Sequence, residues 1–213
     1  MAPRPPRMSA DDRRAQVLAI AEQMFARDGY HHVSMDDIAD RAEVSKPVLY
    51  RHFPSKLDLY LAVVDRRGQA LAAAVDAELA RASTADGPPG HDIARAIVAA
   101  FVGFVEQAGE TSSLLFESDV TRDHEVRERV EAASREAADA VCRGLRDLTG
   151  LAQPEADLLA EVLVGMAQVT ATSRHRPSTV DSDTAVDLVG RLAWSGVQGL
   201  IPGRRDAEPT SSS

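Results

Sequence analysis

Read by the spacing of its apolar positions, the chain is a succession of helices. The first is opened by Ser9 as cap, with Asp11 and Asp12 in its first turn; it carries Val17, Ile20, Ala21, Met24 and Phe25 at helical intervals and stops at Gly29. Ser34 caps a second, short helix with Asp36 and Asp37 in its first turn and the stripe Met35, Ile38, Ala39, Ala42. After a break at Glu43-Val44, Ser45 caps a third helix, with Val44 and Leu49 spaced as a hydrophobic staple and Pro47 in the first turn, where its missing N–H costs nothing. Pro54 ends that helix at His52 or Phe53. Ser55, followed three residues on by Asp58, opens a longer fourth helix with the stripe Leu57, Tyr60, Leu61, Val64, Leu71, Val75.

The loop at residues 83–90 punctuates the pattern, and further helices are predicted over 92–107, 123–148, 155–172 and 182–200, with a short piece at 111–118. The 155–172 segment is apolar nearly all round, which predicts cover on every side. The 182–200 segment sets the small residues Gly190, Ala193 and Gly196 beside Val186, Val189, Val197 and Leu200. No strand pattern and no internal repeat emerges, so the predicted class is all-α. A three-helix helix-turn-helix domain, preceded by a Pro/Arg arm, spans 1–56; a helical domain entered through the fourth helix spans 57–203; an unstructured tail spans 204–213.

The chain has 213 residues, 44% hydrophobic and 27% charged, the composition of an ordinary globular protein. Its net charge of -9 excludes a coat of nucleic acid over the whole surface. The charge is uneven, however. Residues 1–56 balance nine Lys/Arg against eight Asp/Glu, while the remainder sets fifteen against twenty-five. An anionic partner is therefore expected at the first quarter of the chain, which also holds both lysines, Lys46 and Lys56. A lone cysteine, Cys142, excludes an internal disulfide and a thiolate-rich zinc site, and its mid-helix place predicts buried packing. Without an apolar run of roughly 20 residues or a signal-peptide pattern, a cytoplasmic location with no membrane partner is expected.

Capping serines eleven residues apart, at Ser34 and Ser45, with a four-residue turn between two short helices, give helix-turn-helix spacing. In such a unit the second helix offers its leading turn to the major groove. Lys46 can donate to guanine O6 and N7, Pro47 and Val48 offer apolar contact to thymine methyls, and Tyr50 and His52 reach phosphates. Lys56 and the N–H groups opening the fourth helix suit a further phosphate.

The run Val44-Ser45-Lys46-Pro47-Val48-Leu49-Tyr50-Arg51-His52-Phe53-Pro54-Ser55-Lys56, preceded by Ser34-Met35-Asp36-Asp37-Ile38-Ala39, closely resembles the DNA-binding region of the TetR family of transcriptional regulators. The resemblance is continuous over about residues 10–65. It implies a homodimer reading a palindromic operator in double-stranded DNA, with a helical C-terminal domain that dimerises and binds a small effector. Carried over residue by residue, it places Lys46, Pro47, Val48, Tyr50 and Arg51 against bases or neighbouring phosphates, with base contacts expected first, and Ser34, His52 and Lys56 against phosphates, where Ser45 is expected as well. Pro47 departs from the pattern, since many relatives carry glycine there.

Three later segments, Leu114–Val120, Leu163-Val164-Gly165-Met166 and Ala193-Trp194-Ser195-Gly196-Val197, resemble the members of that family that regulate fatty-acid biosynthesis and sense long-chain acyl-CoA. The effector this implies is apolar or bears an acyl chain. Candidate lining residues are Phe101, Phe104, Phe116, Val141, Leu145, Met166 and Trp194, with Arg143, Arg146 and Arg174 available to an anionic head group; packing in the core is the competing role for each lining residue. The last two helices of each subunit are expected to form the dimer interface. Neither cofactor nor metal is expected. A helical enzyme acting on an acyl substrate is the competing class, but no G-x-S-x-G, P-loop, G-x-G-x-x-G or H-E-x-x-H run occurs, so a non-enzymatic regulator is expected, a repressor first and an activator as the alternative.

Overall fold

The computed structural model describes residues 9–82, 89–116, 124–173 and 180–200. The predicted arm at 1–8, the tail at 204–213 and Arg174 lie outside the described residues, as does the side chain of Phe116. The helices are α1 (Ala10–Asp28), α2 (Met35–Arg41), α3 (Lys46–His52), α4 (Lys56–Ala82), α5 (Pro89–Ala108), α6 (Ser113–Phe116), α7 (His124–Thr149), α8 (Gln153–Ser173) and α9 (Ser182–Gln198). Among the described residues there is no strand, so the all-α expectation holds.

The chain forms two compact units: Met1–Arg67 with Glu110–Val130, and Gly68–Gly109 with Glu131–Ser213. In the first unit the cap chemistry works as the sequence suggests. The Asp12 N–H donates to Ser9 Oγ at 3.0 Å, and the Asp37 N–H donates to Ser34 Oγ at 3.1 Å while Asp37 Oδ2 accepts from the Ser34 N–H at 3.0 Å. The Ser34 hydroxyl, and after it the Ser34 N–H, both donating to Oδ2, hold the Asp37 carboxyl below the ordinary aspartate value. Below the caps, Val17, Ala21 and Phe25 of α1, Ile38 of α2, Leu49 of α3 and Tyr60 of α4 are fully buried. Tyr60 meets the rings of Phe25 and Tyr30 edge-on, with centroids 5.3 Å and 5.0 Å away.

A charge lies inside this unit. Glu22, on the buried side of α1, is 2% exposed. It pairs with Arg67, and Arg66 Nε stands 3.7 Å from its second oxygen. Burial draws the Arg67 guanidinium below its ordinary value. Asp65, the residue before these two arginines, pairs with Arg129 of α7, so three successive residues of α4 are each committed to an ion pair.

In the second unit α5 packs along both α8 and α9. Its apolar face, including Ile97, Phe101 and Phe104, is buried. Gly190 permits the closest approach: a Cβ there would stand 3.0 Å from the Arg95 Cα on α5. The inner stripe of α8 is small, with Ala156, Ala160, Leu163, Val164, Ala167 and Ala171 buried. Its outer stripe is left open by the described residues. Leu158, Val162 and Val169 are at least half exposed, as Leu192 of α9 is at 65%, with Leu188 close behind.

Glu22→Gln leaves Arg67 inside the first unit without its counter-charge. The expected cost is about 3 kcal/mol, the low end for a broken buried pair because Arg67 keeps a fifth of its surface in water. Chemical denaturation measures it, and an unchanged midpoint would show that the pair contributes nothing.

Candidate nucleic-acid interface and effector cavity

The turn between α2 and α3 is closed by backbone. The Glu43 N–H donates to the Asp40 carbonyl at 3.2 Å and the Val44 N–H to the Ala39 carbonyl at 3.0 Å. This geometry needs one residue in the left-handed region, and Glu43 occupies it at φ 54°, a position the sequence did not mark because glycine is the usual occupant. Ser45 then has the extended backbone of an N-cap, but its hydroxyl makes no cap hydrogen bond. Proline at position 47 removes one of the two N–H groups such a hydroxyl would accept from, which corrects the expectation that Ser45 caps by its side chain.

On α3 the seven residues divide by helical angle. Leu49 is buried, and Phe53, which follows the last turn, is buried with the Arg14 guanidinium 4.9 Å from its ring centre. Lys46, Pro47, Tyr50 and Arg51 fall on one exposed face, with Tyr50 46% exposed. Val48 and His52 stand half-buried at its edge.

Several predicted contact residues are already engaged. Lys46 Nζ donates to Asp36 Oδ2 at 2.6 Å, and this partner holds the ammonium above the ordinary lysine value. The Ser34 hydroxyl donates to Asp37, spending its one O–H within the protein. Lys56 Nζ donates to the carbonyls of Tyr30 at 3.0 Å and Val33 at 3.1 Å and lies 4.2 Å from the Tyr30 ring centre. It clamps the α1–α2 turn to the start of α4, with one N–H left over for another acceptor.

In the second unit Val141, Leu145 and Trp194 line one wholly apolar cavity together with Ile93, Ala94, Ile97, Gly144, Leu163 and Val197. It measures about 20 Å³ as the space open to a water centre, room for about one water-sized molecule. Phe101 and Phe104 are buried outside its lining, and Met166 is half-buried outside it. Arg143 and Arg146 border an open cleft of about 360 Å³ with Asp147. They lie on the opposite face of α7 from Val141 and Leu145, so a head group held by them is half a helix turn away from the cavity. Cys142 is buried, as its place predicts; its thiol donates to Asp157 Oδ1 at 3.1 Å, and burial pushes it above the ordinary thiol value.

A short helix held from beneath, offering lysine, arginine and tyrosine outward after a four-residue turn, defines a helix-turn-helix transcriptional regulator. Residues 17–63 match the domain described as bacterial regulatory proteins, tetR family. The HTH-type transcriptional activator FasR of Mycolicibacterium smegmatis is 38% identical over 194 residues, covering 90% of this chain and 85% of that protein. The chain belongs to the TetR family, whose members matched here are transcriptional regulators and not enzymes. A TetR-like regulator from Rhodococcus sp. RHA1 shares 29% identity and a TM-score of 0.63 over 91% of this chain and all of its own. The fold is also that of the regulator FadR from Bacillus subtilis in complex with stearoyl-CoA, with a TM-score of 0.71 at 15% identity over 85% of this chain and 98% of that one. Among the described residues no helix is long and apolar enough to cross a membrane.

Lys56→Met keeps the length of the side chain and removes both donors to the α1–α2 turn. The expected loss is about 1–3 kcal/mol in denaturant unfolding, the cost of removing a charged donor from two part-buried carbonyls. A midpoint equal to wild type would remove the clamp from the account.

Proposed function

We propose that the chain acts as a homodimer that reads a palindromic operator with α3 and changes its DNA affinity when an acyl-chain-bearing effector, such as a long-chain acyl-CoA, enters the second unit. The observation that carries the DNA reading is the exposed face of α3. Lys46, Pro47, Tyr50 and Arg51, with Val48 at the edge, meet base edges; Ser45, His52 and Lys56 meet phosphates, as Ser34 does once its hydroxyl turns away from Asp37. Two such helices related by a two-fold axis reach successive major grooves about 34 Å apart. Repression is the first reading, by occupation of the operator. Activation is the second, favoured by the similarity to the activator FasR.

The outer faces of α8 and α9 support the dimer. Leu158, Val162 and Val169 recur at helical spacing on α8, as Leu188 and Leu192 do on α9, and contiguous exposed apolar surface of this kind marks an interface. Four such helices, two from each subunit, close a symmetric contact. Introducing charge into the apolar centre, Val162→Asp with Leu192→Asp, should give a monomer at micromolar concentration in analytical ultracentrifugation with helical content retained. A wild-type chain that sediments as a monomer would sink the homodimer.

The apolar cavity supports the effector class, because a lining without polar groups cannot orient a compact polar ligand. Its present size requires α5, α7, α8 and α9 to part before an acyl chain enters, and an opening of that kind is what a ligand must induce to alter the DNA-reading unit. Trp194 lines the cavity and is the chain's one tryptophan, so its emission reports on occupancy. Titration with stearoyl-CoA should give a saturable change in Trp194 emission, and free CoA none. Equal responses to the two would overturn the acyl reading while leaving the DNA reading intact. For the latter, selection of duplexes from a random pool should return inverted repeats, and failure to retain any duplex would overturn it.

A further inference from the structure

A carboxylate stands against the leading residue of the DNA-reading helix. Lys46 is the first residue of α3 and Asp36 the second of α2; their side chains pair at 2.6 Å, and each is more than half exposed. Neither helix needs the pair. The cap of α2 is made by Ser34 with Asp37, leaving Asp36 outside it. A lysine in the first turn of α3 lies at the end of the helix dipole that disfavours cations. Asp36 and then Asp40, one turn further along α2, both act on the Lys46 ammonium and raise its pKa, Asp36 through its hydrogen bond foremost.

Exposed ion pairs exchange partners at little cost. On an arbitrary duplex Lys46 would exchange the Asp36 carboxylate for a phosphate oxygen, one anion for another, and would leave Asp36 as an unpaired negative charge beside the DNA backbone. The exchange gains almost nothing. At a guanine, contact with O6 and N7 discriminates against other bases by about fivefold to a hundredfold or more, which outweighs the loss of the carboxylate. The geometry points to Asp36 as a specificity-determining residue: it holds Lys46 in the unbound protein and makes release favourable only where a base acceptor takes its place. This inference rests on the proposal that α3 reads DNA.

The test measures binding of wild type, Asp36→Asn, Lys46→Met and the double variant to two probes, a duplex that wild type recovers from a random pool and a scrambled duplex of equal length, over about 50 to 300 mM salt. Asp36→Asn should bind the scrambled duplex about threefold more tightly at low salt, with a log–log salt slope steeper by about one, as one more phosphate contact requires. Its affinity for the recovered duplex should change less, so the ratio between the probes falls. In the Lys46→Met background the same substitution should leave the ratio unchanged. Equal tightening on both probes, no change on either, or an effect that persists without Lys46 would reduce Asp36 to general surface charge and overturn the inference. Asp36→Ser, compared by circular dichroism and the same two probes, replaces Asp36→Asn if that variant is misfolded. A wild type that recovers no duplex overturns the DNA reading and this inference together; a wild type that does, with an unchanged ratio in both Asp36 variants, overturns this inference alone.

Discussion

A helix of seven residues does not hold itself together in water, because nucleation costs more than so few hydrogen bonds return. α3 exists because Leu49 is fully buried and Phe53 nearly so, and everything on its outer face is positioned by those two anchors. Burying a leucine or phenylalanine side chain is worth about 1.5–3 kcal/mol, comparable with the deficit of an isolated short helix. The placement of anchors at helical spacing therefore fixes which residues look outward. Lys46, Pro47, Tyr50 and Arg51 are exposed as a set because Leu49 and Phe53 are buried as a pair. Arg14 over the Phe53 ring and Lys56 on the carbonyls of Tyr30 and Val33 then tie α1 and α4 to the same small body.

Charge in this body is allocated by depth. Glu22 is buried and held by Arg67, where removal of one partner leaves a costly unpaired charge. Asp37 is spent on a cap and Asp36 on Lys46. The near-neutral balance of the first 56 residues thus conceals a division of labour: many of its acids are bound within the protein, leaving Arg51 among the exposed cations of the α3 face. On the proposed reading, a surface with internally committed carboxylates would meet phosphate without a large net positive charge, and the strongly acidic remainder of the chain would keep non-specific attachment weak.

The second unit solves a different problem. Small residues on the inner stripe of α8 and Gly190 on α9 let helices approach closely, and the apolar cavity among the described residues is narrow. Large apolar residues are placed instead on the outside of α8 and α9, where none of the described residues covers them. An effector that separates inner stripes and a partner subunit that covers outer ones would act on the same two helices from opposite sides. On the proposed reading, that arrangement would make ligand entry and subunit geometry mechanically dependent on each other.

Local chemistry made much of the molecule legible in sequence. The caps at Ser9 and Ser34, the stop at Gly29, the break before Pro54 and the apolar periodicities fixed the helices within a few residues, because each signal acts across one or two turns. The outward set on α3 followed from the same periodicity. What spans longer separations was not legible. Asp36 and Lys46 are ten residues apart, Lys56 and Tyr30 twenty-six, and nothing local distinguishes these lysines from free ones. The carboxylate of Glu22 interrupts no pattern, yet it lies in the interior opposite Arg67. The all-round apolar character of α8 announced that it would be covered but not by what. Sequence determined the helices and their faces, since a periodic chain dictates its own local geometry; only the tertiary structure decided which charges would be spent on one another and which apolar faces would stay open, since that depends on how distant segments are brought together.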